Sequence, residues 1–222
     1  MAKHYFKYGQ EEIEYLKGKD EKLAEVIDKI GMIEREIVPD LFSALINSIS
    51  GQQISTKAHK TIWKRIKNGL GDVTPDSINN CLDDELQRFG LTFRKVGYMK
   101  GVAHKVLSGE FNIAGLYKMT DQEVCDELPK LNGVGVWTAE MLMIFSMQRP
   151  DIISYGDLAI LRGLRMVYHH RKISKKTFEK YKKRYSPHAS VASLYLWAVA
   201  GGAIPEMKDY VPKKQKQKKD KN

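Results

Sequence analysis

Two glycines in one short turn between helical stretches limit this chain more than any other feature. The turn is Leu131-Asn132-Gly133-Val134-Gly135; a helical pattern enters it over Thr120 to Leu128 and another leaves it over Val136 to Met147. Glycine reaches backbone angles that other residues avoid and lets a partner come close to the main chain. A glycine turn that feeds a helix start leaves several N–H groups pointing outward, which suits a phosphate. About 22 residues after Gly135 comes Asp157, in Tyr155-Gly156-Asp157-Leu158, opening a helical run that ends near Arg162-Gly163. The pattern predicts a turn that grips a nucleic-acid backbone and a carboxylate that does chemistry beside it. Asp157 also suits a plainer role, because aspartate at a helix start is a favoured N-cap.

Helical periodicity continues on both sides of this stretch. It predicts helices over Glu11–Lys17, Asp20–Ile30, Leu41–Ser50, Ser55–Lys67, Pro75–Leu82, Asp84–Phe89 and Phe93–Leu107, and a short turn over Ile113–Tyr117. Pro75 at a first helical position and Thr120 with Glu123 as a capping box mark two of the starts. After the central stretch, Ser174 caps a very basic helix over Lys175–Tyr185, and Ser186-Pro187 starts a last one reaching Ala200. Strand signals are weak, so the predicted fold class is all-α.

The charge balance points to a polyanion. The 222 residues carry a formal net charge of +10, and such a balance favours nucleic acid without specifying a fold. The last ten residues, Lys213–Asn222, hold six lysines and one aspartate. That polar, charged segment is expected to be disordered, as a solubilising end or a sliding handle on DNA. There is no apolar run long enough to cross a membrane, and the first residues lack the apolar stretch of a secretory signal, so secretion is not expected. The expected location is therefore the cytoplasm and nucleoid of a prokaryote or the nucleus of a eukaryote. Cys81 and Cys125, far apart, fit a reducing compartment and cannot build a four-cysteine cluster. The six histidines show no metal-binding spacing. No nucleotide-binding glycine loop and no serine-nucleophile motif is present.

The glycine turn, the run Trp137-Thr138-Ala139-Glu140 and the run Gly156-Asp157 to Arg162-Gly163 stand together in an order and spacing that resemble the helix-hairpin-helix DNA glycosylases, over roughly Pro39 to Pro205. Within that superfamily the chain resembles the 3-methyladenine, or alkylated-base, branch. The resemblance implies two helical lobes with an active-site cleft between them. One lobe would run over 39–128, and the other over 1–38 plus 129–212, holding the hairpin and Asp157. It implies a monofunctional enzyme that flips an alkylated purine out of damaged duplex DNA and hydrolyses its N-glycosidic bond, initiating base excision repair. The alternatives are a helix-hairpin-helix DNA-binding protein without catalysis, or a glycosylase for hypoxanthine, ethenoadenine or oxidised guanine.

Roles follow from the same resemblance. Asp157 would stabilise the positive charge that builds on the sugar as the bond breaks, an oxocarbenium-like state. Trp137 stands where the strand-cleaving relatives have a lysine, and an indole cannot form a Schiff base, so lyase activity is not expected. Trp137, Met141, Leu158 and His188 fall where the base pocket is lined; on position alone Trp137 could equally be core and His188 a plain first-turn residue. Gln53 matches the residue that enters the minor groove and Gln52 its supporting neighbour, although Gly51–Ser55 also reads as a polar helix-to-helix turn. Thr138 and the amides of Gly133 and Gly135 are the phosphate candidates; the run Phe93–Tyr98 also resembles the family, and its Arg94 and Lys95 read as solvated helix charges or, alternatively, as phosphate contacts. Asn132 replaces the usual hairpin proline. A monovalent cation, Na or K, would sit on the backbone carbonyls of Pro129, Leu131 and Val134. No iron–sulfur cluster and no nucleotide cofactor are expected, and the chain would act as a monomer.

Overall fold

A computed structural model describes residues 3–210; the lysine-rich end at 213–222 lies outside the described residues. The elements in order are β1 (His4–Tyr5), α1 (Gln10–Lys19), α2 (Glu21–Ile30), β2 (Glu36–Ile37), α3 (Leu41–Gly51), α4 (Thr56–Leu70), α5 (Pro75–Asn80), α6 (Asp83–Arg88) and α7 (Phe93–Leu107). They continue with α8 (Asp121–Glu127), α9 (Val136–Phe145), α10 (Leu158–Tyr168), α11 (Lys175–Tyr185) and α12 (Ala189–Ala200). Two 3-10 turns, Ala114–Lys118 and Leu128–Lys130, flank α8. The fold class is all-α as expected. The two short strands were not foreseen: β1 pairs antiparallel with β2, His4 opposite Ile37 and Tyr5 opposite Glu36. Two-residue strands are too short to leave an alternating pattern in a sequence.

The chain divides into two units: residues 3–6 with Glu36–Arg149, and Lys7–Arg35 with residues 150–210. In the first, α3 packs on α4, α7 and α9. Its core includes Leu45, Ile46 and Ile49 of α3, Ile66 of α4, Val96 and Met99 of α7, and Ala139, Met143 and Ile144 of α9. The boundary at Arg149 differs from the expected one at Leu128, and α9 is the reason. Mean apolarity along α9 is high on all sides, and it buries Thr138, Ala139, Leu142, Met143 and Ile144. An apolar helix of this kind needs neighbours around most of its circumference, and α3 and α8 provide them.

In the second unit, α12 is the central helix, burying ten of its twelve residues and packing on α10, α11, α1 and α2. Ser190 and Ser193 are buried within it, and both hydroxyls donate to the Ile152 carbonyl. The segment before α10 is thereby tied to α12. The expected final helix started at Pro187; α12 begins two residues later, after His188. A larger difference concerns α10. Arg162-Gly163 does not end it, and the helix runs on to Tyr168, where His169 closes it in a left-handed conformation. Gly163 is instead a packing residue. A Cβ there would stand 2.9 Å from the carbonyl carbon of Leu196 and closer still to its oxygen, so its hydrogen is what lets α10 and α12 approach.

Candidate functional site

The glycine turn is built as its sequence requires. Gly133 has φ +83, and the ring of Tyr98 lies against it: a Cβ there would stand 2.7 Å from two ring carbons and closer still to a third. Leu131 accepts from the Val134 N–H at 3.1 Å, closing the turn. Gly135 is the N-cap of α9 and offers no side chain to its first amides. Donors of the first helical turn have no partner within their own helix, so this end of α9 presents N–H groups with a partial positive charge. Thr138 is the exception among the phosphate candidates. It is only 4% exposed, whereas the N–H groups at the start of α9 belong to exposed residues.

The loop after α3 is fastened to this turn. Gln52 Nε2 donates to the Gly133 carbonyl at 2.7 Å, which gives the expected supporting glutamine a definite task. Its neighbour Gln53 is exposed and held at φ +56. A non-glycine residue in the left-handed region carries a cost of about 1 kcal/mol or more and persists where its surroundings enforce it. Three contacts do so here. Besides the Gln52 bond, Lys95 Nζ donates to the Ser50 carbonyl at 2.8 Å at the end of α3. His59 Nε2 lies 2.8 Å from Asn47 Oδ1 and 3.0 Å from the Asn47 carbonyl. The His59 ring fills the space above Gly51, where a Cβ would stand 2.8 Å from it.

Lys95 is thus not a merely solvated charge. It neutralises the carbonyl end of α3, as a cation at a helix C-terminus does, and burial lowers its pKa from the ordinary lysine value. His59 is also held below its usual value, first by burial and further by the Lys95 charge, against an opposing effect of the Asn47 carbonyl. Arg94 is exposed, its Nε donating to the Tyr98 hydroxyl. The sequence marked the Phe93–Tyr98 run but not the contacts of Lys95 with Ser50 and of Tyr98 with Gly133, and it missed His59. The resemblance of the Phe93–Tyr98 run was the signal for Lys95 and Tyr98; His59 left none.

The second unit carries Asp157, Leu158 and His188. Asp157 is the N-cap of α10, 8% exposed, with Oδ1 accepting from Ala159 N at 2.8 Å and Ile160 N at 3.1 Å. The two cap bonds fix where the carboxylate lies. Leu158 follows it with 80% exposure. His188 packs edge-on against Tyr15, ring centroids 4.9 Å apart, and its Nδ1 is buried with no hydrogen-bond partner. Tyr15 in turn donates to the Ser186 carbonyl at 2.7 Å. Of the pocket residues in the first unit, Trp137 is 45% exposed on the first turn of α9, and Met141 is half-buried one turn on. The sequence-chosen residues therefore fall into two sets. Gln52, Gln53, Gly133, Gly135, Trp137 and Met141 belong to one unit, and Asp157, Leu158 and His188 to the other.

Pro129 lies in the 3-10 turn Leu128–Lys130, and Leu131 and Val134 bracket the hairpin. Among the described residues, no group of three or more His, Cys, Asp or Glu is placed to hold a metal. No helix among them is long and apolar enough to cross a membrane.

The turn has a direct test. Gly133→Ala adds a methyl into the Tyr98 ring at a positive φ. Duplex-DNA affinity should fall about tenfold, the equivalent of roughly 1.4 kcal/mol, in a fluorescence anisotropy titration. Unchanged affinity would show that the turn is not a DNA contact.

Comparison with known proteins identifies the family. The profile of the HhH-GPD superfamily of base excision DNA repair proteins matches residues 46–187. DNA-3-methyladenine glycosylase 1 of Schizosaccharomyces pombe is 30% identical over 161 residues, which is 70% of this chain and 71% of that protein. Among solved structures, the DNA-3-methyladenine glycosidase of Bacillus halodurans superposes with a TM-score of 0.80 at 31% identity, covering 93% of this chain and 97% of that one. The S. pombe 3-methyladenine DNA glycosylase in complex with abasic DNA gives 0.76 at 27% identity, over 86% and 97%.

Proposed function

Because the chain belongs to the HhH-GPD superfamily of base excision DNA repair proteins, we propose that it is a monofunctional DNA glycosylase removing alkylated purines such as 3-methyladenine from duplex DNA. The observation that carries this reading is Asp157, a buried-edge carboxylate fixed by two backbone amides at the start of α10. A fixed anion does little for a neutral sugar and much for one acquiring positive charge, so it stabilises the transition state selectively.

In this reading the amides of Gly133, Gly135 and the first turn of α9 take a backbone phosphate. Gln53 enters the space left when the damaged nucleotide turns out, offsetting part of a cost of about a few kcal/mol. Trp137, Met141, Leu158 and His188 receive the base. A purine alkylated at N3 or N7 carries a positive charge, which an indole face attracts. It leaves with the electron pair of the N-glycosidic bond as a neutral molecule, so no general acid is required. Water then bonds to C1′ and its proton passes to solvent. The product is an abasic site in an unbroken strand. The carbonyls of Pro129, Leu131 and Val134 would hold a monovalent cation that screens the phosphate from the carbonyl end of the turn. One copy of the chain suffices for all these roles.

The test is a set of duplexes, each with a single 3-methyladenine, 7-methylguanine, hypoxanthine, ethenoadenine or oxidised guanine. The expected result is release of at least one alkylated purine with strand breaks appearing only after alkali, and no covalent adduct on borohydride treatment. The superfamily's lyases form that adduct through an amine; Trp137 supports its absence here. A borohydride-trapped complex would refute the monofunctional assignment, and release confined to oxidised guanine would refute the alkylated-base assignment.

A further inference from the structure

The helix α11 carries more charge than the hairpin needs. Its inner side is an apolar and aromatic stripe: Phe178, Tyr181 and Tyr185 are buried, Tyr181 stacks on Tyr168 with ring centroids 4.2 Å apart, and the hydroxyls of Tyr168 and Tyr185 lie 2.6 Å apart. Arg184, on the flank, is ion-paired with the buried Asp20. These contacts fix which way the rest of the helix faces. Lys176, Lys180 and Lys183 lie at the spacing i, i+4, i+7 on the side opposite the stripe, and all three are exposed.

Some lysines and arginines of the chain are matched to acids, as at Lys17–Asp28 and Arg165–Asp209. Here, among the described residues, Lys172, Lys175, Lys176, Lys180, Lys182 and Lys183 have no carboxylate within ion-pair distance, and Glu179 is the single acid of the helix. The field reaches the neighbouring element: the His170 imidazole is held below its ordinary value by burial first and then by the charges of Lys22 and Lys180. So dense an array of like charge opposes the folded state through self-repulsion and calls for a polyanion to offset it. No large apolar side chain is exposed between Arg171 and Tyr185, so the face has nothing to insert into a lipid surface. Lysines supply point charges without the fork geometry that reads base edges or pairs carboxylates.

We infer that the outer face of α11, centred on Lys176, Lys180 and Lys183, is a second contact for the phosphate backbone of duplex DNA, independent of the hairpin and indifferent to sequence and lesion. Its function is retention on undamaged DNA during search. The inference rests on duplex DNA being the substrate, and adds to it a surface outside the reacting site.

The test compares the parent protein with two triple variants, Lys176→Gln/Lys180→Gln/Lys183→Gln and Lys176→Arg/Lys180→Arg/Lys183→Arg, binding an undamaged duplex from 50 to 200 mM salt. Each neutralised phosphate contributes about 0.9 to the slope of log K against log salt. The glutamine variant is expected to show a slope shallower by about 2 to 3 and affinity at least about a hundredfold lower at the low-salt end, with the gap narrowing toward 200 mM. The arginine variant should follow the parent. Single-turnover base release from a short lesion duplex at saturating enzyme should be unchanged in both. A glutamine variant with the slope of the arginine variant would overturn the inference, as would equal weakening in both variants, which reports altered packing rather than lost charge. Absence of base release in the parent would count against the glycosylase reading alone, since the salt slopes are read on undamaged DNA.

Discussion

Asp157→Asn should bind lesion-containing duplex DNA as the parent protein does and release almost no base. Asparagine is as good an N-cap as aspartate, so the bonds to Ala159 N and Ile160 N can be kept by its side-chain oxygen. The thermal unfolding temperature should therefore stay close to that of the parent. What changes is charge. Loss of one preorganised electrostatic group from a transition state costs about a hundred- to a thousandfold in rate, and single-turnover base release is expected to fall by at least that much. Asp157→Ala gives the contrast: it loses the charge and the cap together, with about 1 kcal/mol of stability. Near-parental base release by the asparagine variant would remove Asp157 from the chemistry and leave it a cap.

Gly163→Ala should be the most damaging single methyl in the second unit. In an exposed helix interior the exchange is favourable, since alanine exceeds glycine in helix propensity by about 1 kcal/mol. Here the added Cβ meets the Leu196 backbone, and backbone cannot swing aside as a side-chain tip can. Overpacking of this kind costs about 1–3 kcal/mol. For a chain of this size each kcal/mol lowers the unfolding temperature by about 2–4 °C, so a decrease on the order of 5 °C is expected. The effect should extend to rate, because α10 starts at Asp157 and a displacement near 1 Å at a reacting group can cost about a hundredfold. A raised unfolding temperature would mean that α10 and α12 do not approach as closely as Gly163 allows.

These two residues also show what the sequence can and cannot disclose. Both stand in one motif, and the motif placed Asp157 correctly at a helix start. The same motif misled at Gly163, because glycine has two common uses in helices, ending them and letting another backbone approach. Only the position of Leu196, 33 residues later, distinguishes them. Helices with one apolar face, such as α4 and α7, were legible in nearly their full extent. The apolar α9 was legible as a helix, but its sidedness was not, so its attachment to α3 could not be foreseen. Contacts that hold the Gln53 loop were hidden for a related reason. Lys95, His59 and Tyr98 act through Ser50, Asn47 and Gly133, and partners 12 to 45 positions away leave no periodic trace. By contrast, Gly133 was readable because its demand is local: a positive φ that few other residues accept.

The central claim is that Asp157 stabilises positive charge on the deoxyribose. It is tested most directly by binding, without turnover, of two duplexes that differ only at the lesion: one with a cationic pyrrolidine in place of the sugar ring, the other with a neutral tetrahydrofuran. The account requires the parent protein to prefer the cationic duplex by about a hundredfold or more, as transition-state mimics are preferred, and Asp157→Asn to lose most of that preference. A preference retained in full by Asp157→Asn would contradict it.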